Sequence, residues 1–137
     1  RKRLTDLFRF EIFEEDAKSD LEGMIFTVLF EFDKEENWDW LERIKNIYEK
    51  QNGEFYIVEL ESTLEERLRR NKTANRLKNK PTKRDIESSE KELLSCSEEH
   101  RLNSYEGEVK YKNYLRIDNT NISAEDTAKM IKEKFNL

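Results

Sequence analysis

The side chains best suited to chemistry in this chain are the arginines and lysines between Arg67 and Arg84. That stretch holds nine basic residues (Arg67, Arg69, Arg70, Lys72, Arg76, Lys78, Lys80, Lys83 and Arg84) and no acidic one. The chain as a whole carries a net charge of −5, so the body around the stretch is strongly acidic. Positive charge concentrated on such a body marks a place where an anion is expected. Arginine suits the task, because its planar fork matches phosphate oxygens and its flat face stacks on a purine ring. Three readings compete. A solvated, flexible charge run is the plainest of them. Nucleic acid would also reward clustered cations. Against that, the stretch has no interleaved aromatic for base stacking, and the acidic remainder would repel a polyanion. A nucleotide-sized anion fits better.

The other reactive side chains carry weaker signals. His100 is the single histidine, flanked by Glu98, Glu99 and Arg101, and has no second His or Cys at ligand spacing. It reads as a surface residue. Cys96 is the single cysteine, so an internal disulfide is excluded, and no basic residue nearer than His100 would activate the thiol. Glu11, Glu14, Glu15 and Asp16 read as a solvated helix face, and the Trp38/Trp40 pair as packing residues. Asp33, with Glu35 and Glu36, follows the apolar run Met24–Phe30, at the carboxyl end of a predicted strand where α/β sites gather. Asp33 is therefore a candidate contact to a substrate or to a Mg²⁺-bound water.

The elements that must position these residues follow from apolar spacing. Leu4, Leu7, Phe8 and Ile12 share one helical face and Phe10, Phe13 and Ala17 the adjoining one, which predicts a helix over 4–19 buried on a wide stripe. Met24–Phe30 is continuously apolar save for Thr27 and reads as a strand covered on both faces. Asn37 can cap a helix carrying Trp38, Leu41, Ile44, Ile47 and Tyr48 inward, ending at the Asn52-Gly53 turn. Phe55–Leu60 is a second predicted strand. Thr63-Leu64-Glu65-Glu66 has the capping-box form and opens another helix. Lys72–Lys83 lacks an apolar period and holds the single proline, Pro81, so a long loop is expected there. Thr82–Asp85 can restart a helix through Ile86, Leu93 and Leu94. Tyr114–Asp118 is a third predicted strand, and Ser123 caps a last helix with Ala124, Ala128, Ile131 and Phe135 on one face. Strands separated by amphipathic helices imply a parallel sheet in a three-layer α/β fold.

Size and composition agree with one lean domain. The chain has 137 residues, 35% hydrophobic and 42% charged, with eight Phe, five Tyr and two Trp to supply large buried areas. No apolar run is long enough to span a bilayer and no signal peptide is visible, so the cytoplasm is the expected location.

The segment Val58-Glu59-Leu60-Glu61-Ser62-Thr63-Leu64-Glu65-Glu66-Arg67-Leu68-Arg69-Arg70-Asn71 resembles the strand-to-helix approach to the lid of small P-loop kinases such as adenylate, shikimate and gluconate kinase. Tyr114–Thr120, followed by Ser123–Phe135, looks like their last core strand, adenine-side loop and closing helix. The whole chain, and Asn71–Asp85 most of all, is similar to bacterial AAA-type or shikimate-kinase-like ATPases. The resemblance implies a P-loop NTP hydrolase fold of three layers, with residues 1–137 forming one kinase-like domain whose lid covers 67–104. It implies ATP-dependent phosphotransfer to a small molecule. Arg67 or Arg70 would stack on adenine, with Asn119, Thr120 and Asn121 lining its pocket. Arg76, Lys80, Lys83, Arg84 and Arg101 would bring charge onto the transferring phosphate.

One part of that pattern is not in the sequence. Gly23, Gly53 and Gly107 are the three glycines, and none belongs to a G-x-x-x-x-G-K-[ST] loop. With Arg1 rather than Met at its start, the chain reads as the C-terminal two-thirds of such a domain. ATP and Mg²⁺ would then be held through a phosphate loop lying upstream, and the chain alone would be inactive. The alternative is a non-catalytic module acting through protein contacts or weak anion binding. Self-association is expected if a sheet edge or core face is left uncovered.

Overall fold

In the computed structural model, which describes Lys2–Leu137, most residues are helical. Helices α1 (Lys2–Lys18), α2 (Glu35–Glu49), α3 (Leu64–Asn71), α4 (Ala74–Asn79), α5 (Ile86–Glu99) and α6 (Ala124–Phe135) accompany strands β1 (Ile57–Glu61) and β2 (Tyr114–Asp118). The strands pair in parallel, with Ile57 opposite Tyr114 and Glu61 opposite Asp118. The chain folds as two compact units, Arg1–Tyr56 and Ile57–Leu137.

The expected three-layer parallel sheet of the P-loop NTP hydrolase kind is not formed. Among the described residues the sheet has two strands only. Met24–Phe30, predicted as a strand, is extended chain outside any ladder, with Ile25 95% exposed. Its residue types are those of a strand, yet no described strand lies beside it, and an extended segment gains its hydrogen bonds only from a neighbour. β1 and β2 remain parallel, as their sequence order suggested.

The first unit is an α-hairpin with an aromatic core. Phe10, Phe13 and Ile44 are buried, and Trp40, Ile47, Tyr48 and Phe55 pack around them. Phe26 sets its ring edge-on against Phe13 at 5.1 Å and so ties the extended segment to the helices. Arg43 lays its guanidinium 3.5 Å from the centre of the Phe10 ring. Of the two apolar faces read on α1, the one carrying Phe10 and Phe13 packs, while Leu4, Leu7, Phe8 and Ile12 are exposed. Helix α2 starts two residues before the expected cap. Lys34 takes the N-cap position, and Asn37 instead donates its side-chain amide to the Glu31 carbonyl at 3.1 Å. At its C-terminal end Asn52 adopts the left-handed conformation, φ 60°. Gly53 then passes so close to the Tyr48 carbonyl that a Cβ there would sit 3.1 Å from its oxygen.

In the second unit, side-chain caps set most helix starts. Thr63, Thr73, Asp85 and Ser123 accept from backbone N–H groups three residues on, opening α3, α4, α5 and α6. The expected loop over 72–83 contains α4 and a single 3₁₀ turn at Pro81–Lys83. Six residues are too few to show an apolar period, which is why the sequence read as loop.

Candidate functional site

The residues assigned to an adenine pocket converge. Arg70, Asn119, Thr120 and Asn121, with Ile122 and Ser123, line an open cleft of about 610 Å³ where α3 meets the β2–α6 turn. Parallel pairing places that turn directly beside the β1–α3 connection. The Asn119 N–H donates to the Glu61 carbonyl at 2.8 Å, and the Thr63 N–H to the Thr120 hydroxyl at 3.1 Å.

Arg70 is the strut of the cleft. It donates to Asn119 Oδ1 at 2.9 Å, to the Asn119 carbonyl at 2.6 Å and to Glu66 at 2.6 Å. Three of its nitrogens are engaged in this way. The bonds to Asn119 fix the guanidinium against the β2–α6 turn. Glu66, expected to close a capping box, is instead gripped by Arg69 and Arg70. Hydrogen bonds from Arg69 first, then from Arg70, push its carboxyl down to about 2. Asp118 fixes Thr120 through its hydroxyl (2.6 Å) and its N–H (2.9 Å), and both bonds keep the Asp118 carboxyl below its usual value. What is left for a ligand is the exposed Asn121 amide and Asn119 Nδ2, neither with a partner among the described residues. A primary amide offers both a donor and an acceptor, as the edge of a purine does.

The cleft is poorly suited to phosphate. Glu66 neutralises one of the two charges of Arg69 and Arg70, and the N-terminus of α6 is met by Glu125 and Asp126 in its first turn. A neutral, planar group is the chemistry it favours.

The remaining assigned residues sit elsewhere. Arg67 lies on α3 outside the cleft lining, its Nε buried. Arg76, on α4, donates to Asn71 Oδ1 at 3.1 Å, and Arg84 to the Leu77 carbonyl at 3.0 Å. Lys83 pairs with Glu92, and Lys80 is exposed. Arg101 is engaged: Glu108 binds it at 2.5 and 2.7 Å, and it lies 4.0 Å from the centre of the Tyr105 ring. Its charge therefore serves to close the 101–108 loop. Asp33 is in the first unit, exposed in the turn before α2. Among the described residues no group of three His, Cys, Asp or Glu side chains could hold a metal ion.

Two important polar residues escaped the sequence reading. Glu59 on β1 is buried and accepts from Tyr114 (2.6 Å), Asn103 (2.9 Å) and both the N–H and hydroxyl of Ser104 (2.9 and 2.7 Å). Burial alone would raise its carboxyl, but those four bonds outweigh it and hold the group below its usual value. The signal was present in the alternation of β1, since Glu59 shares a face with Ile57, whose partner is Tyr114. The other residue is Asn71, which is 2% exposed at the end of α3.

Comparison of the chain with protein-family models, with curated proteins and with solved structures finds no match.

Proposed function

We propose that the chain carries the adenine-binding side of an ATP-dependent phosphotransferase acting on a small molecule. The observation that supports this is the meeting of Arg70 with Asn119, Thr120 and Asn121, residues about 50 positions apart, around a single cleft. A braced guanidinium next to the unpartnered Asn121 amide and Asn119 Nδ2 is the chemistry that takes a purine, by stacking on one side and edge hydrogen bonds on the other. The near-neutral charge of the cleft favours the base over the phosphates. ATP and Mg²⁺ are accordingly the proposed cofactors, with the phosphates held outside this cleft. Calorimetric titration of the chain with adenosine, ADP and inosine tests it. Adenosine and ADP are expected to bind with similar affinity and inosine more weakly. Absence of adenosine binding would remove the reading.

A second reading is favoured by the exposed run Met24–Phe30, which makes no backbone hydrogen bond among the described residues. Extended apolar chain with unpaired main-chain groups is a template for strand addition, so the module would work through contacts with other chains. Ile25→Asp distinguishes the two readings. It is expected to abolish concentration-dependent association in sedimentation while leaving adenosine binding intact. Unchanged association in that variant would count against an interaction role.

A further inference from the structure

Four large apolar side chains of α1 face away from its own core. Leu4, Leu7, Phe8 and Ile12 are 53, 52, 66 and 55% exposed, whereas Phe10 and Phe13 are buried in the cluster with Ile44 of α2. Spacings of three and four put the exposed residues on one stripe. A contiguous apolar stripe on a helix already packed on its other side asks for a cover.

Charge says which cover. From Arg3 to Arg9 the helix carries two cations and one anion, and from Phe10 to Lys18 four anions and one cation. Arg9 lies 3.7 Å from Asp6, Lys18 holds Glu15 at 3.0 Å, and Asp16 accepts from the Tyr48 hydroxyl at 2.7 Å. Among the described residues Arg3, Glu11 and Glu14 make no salt bridge. Arg3 and Glu14 stand about three turns apart, so they flank the stripe on the same side. An antiparallel copy of α1 turns that side toward its own equivalent. With Phe8 on the two-fold axis, Leu4 meets Ile12 of the other copy and Arg3 comes beside its Glu14. Parallel pairing would instead set Arg3 against Arg3 and Glu14 against Glu14. Opposed helix dipoles favour the antiparallel arrangement as well. A lipid surface fits less well, because Glu11 and Glu15 lie along the stripe and anionic headgroups would repel them.

We propose that the exposed stripe of α1 pairs antiparallel with that of a second copy of the chain, about a two-fold axis at Phe8. This surface shares no residue with the Asn119 cleft or with Met24–Phe30 and depends on neither. So short a helical contact buries less than a standard interface, which makes the pairing weak and suited to covalent trapping rather than sedimentation.

The test uses the full chain carrying Cys96→Ser and Ile25→Asp, which remove the native thiol and the contact through Met24–Phe30. Single cysteines are introduced on the stripe and oxidised mildly, and interchain disulfides are followed on non-reducing gels. Facing Cα atoms at a helix crossing come within disulfide reach. Phe8→Cys is expected to link to its own copy about tenfold faster than Leu4→Cys, which sits off the axis. Leu4→Cys mixed with Ile12→Cys should link as fast as Phe8→Cys. Glu14→Arg should slow the Phe8→Cys link, and adding Arg3→Glu should restore it. Circular dichroism checks that each variant keeps its helices; should Glu14→Arg unfold, the cysteine comparison decides alone. Equal rates for Phe8→Cys and Leu4→Cys overturn the proposal, as does the absence of any link. Failure of the double charge swap to restore the link overturns the antiparallel register. Binding to phosphatidylserine vesicles that Phe8→Asp abolishes, with no link at Phe8→Cys, would make the stripe a lipid contact and also overturn it.

Discussion

At the scale of single residues, the basic stretch divides by partner, and charge alone did not reveal how. Arg70 and Arg67 are three positions apart and read alike in sequence. One braces a cleft through Asn119, and the other has a buried donor with no acceptor. What separates them is which residue stands opposite after folding, information carried for Arg70 by Asn119 and not by the arginine itself. Arg70→Lys keeps the charge but loses the flat face and the fork. Adenosine affinity is expected to fall about tenfold in that variant, a loss of roughly 1.4 kcal/mol, measured by calorimetry. Equal affinity would mean that only charge matters. Glu59 makes a separate prediction for stability. Glu59→Ala strands the Tyr114, Asn103 and Ser104 donors in a buried setting and should cost about 3 kcal/mol in denaturant unfolding. A cost near zero would show that water replaces the carboxylate freely.

At the scale of elements, helix caps were the most legible feature. Thr63 and Ser123 were readable as N-caps because a hydroxyl three residues before a backbone N–H acts locally, whatever the rest of the chain does. Thr63→Ala is expected to lower stability by about 1 kcal/mol. It should also loosen the cleft, since the Thr63 N–H bonds Thr120. No change in the urea midpoint would contradict the capping role. Strand reading was less secure for a physical reason. β1 and β2 have each other, whereas Met24–Phe30 has strand-forming residues and no described partner, so composition alone could not decide its fate. The stripe on α1 was ambiguous in the same way. Two adjoining apolar faces were visible, and only packing against α2 selected the one with Phe10 and Phe13. Helix α4 went unread because its six residues carry no period.

For the whole molecule, two compact units rest on different supports, an aromatic helical hairpin in one and a polar-networked α/β piece in the other. No described helix is long and apolar enough to cross a membrane. In Ile57–Leu137 the carboxyls of Glu59, Glu66, Glu108 and Asp118 all lie below their usual values in the folded state. A carboxyl depressed by folding stabilises the native state above its unfolded pKa, and that contribution is lost as pH falls through the folded value. For Glu66 the window runs from 4.5 down to about 2. Circular dichroism should show stability declining over that range, with a shallower decline in Glu66→Gln; identical profiles would contradict the assignment. Both tryptophans lie in the first unit, so their fluorescence reports on the other half of the chain. The central claim is the cleft, and one titration tests it most directly: adenosine into the chain and into its Asn119→Ala variant. The account predicts measurable binding to the first and a loss of about tenfold in the second, because removing Asn119 takes away both a ligand amide and the brace of Arg70. Binding of equal strength to both proteins, or to neither, would contradict it.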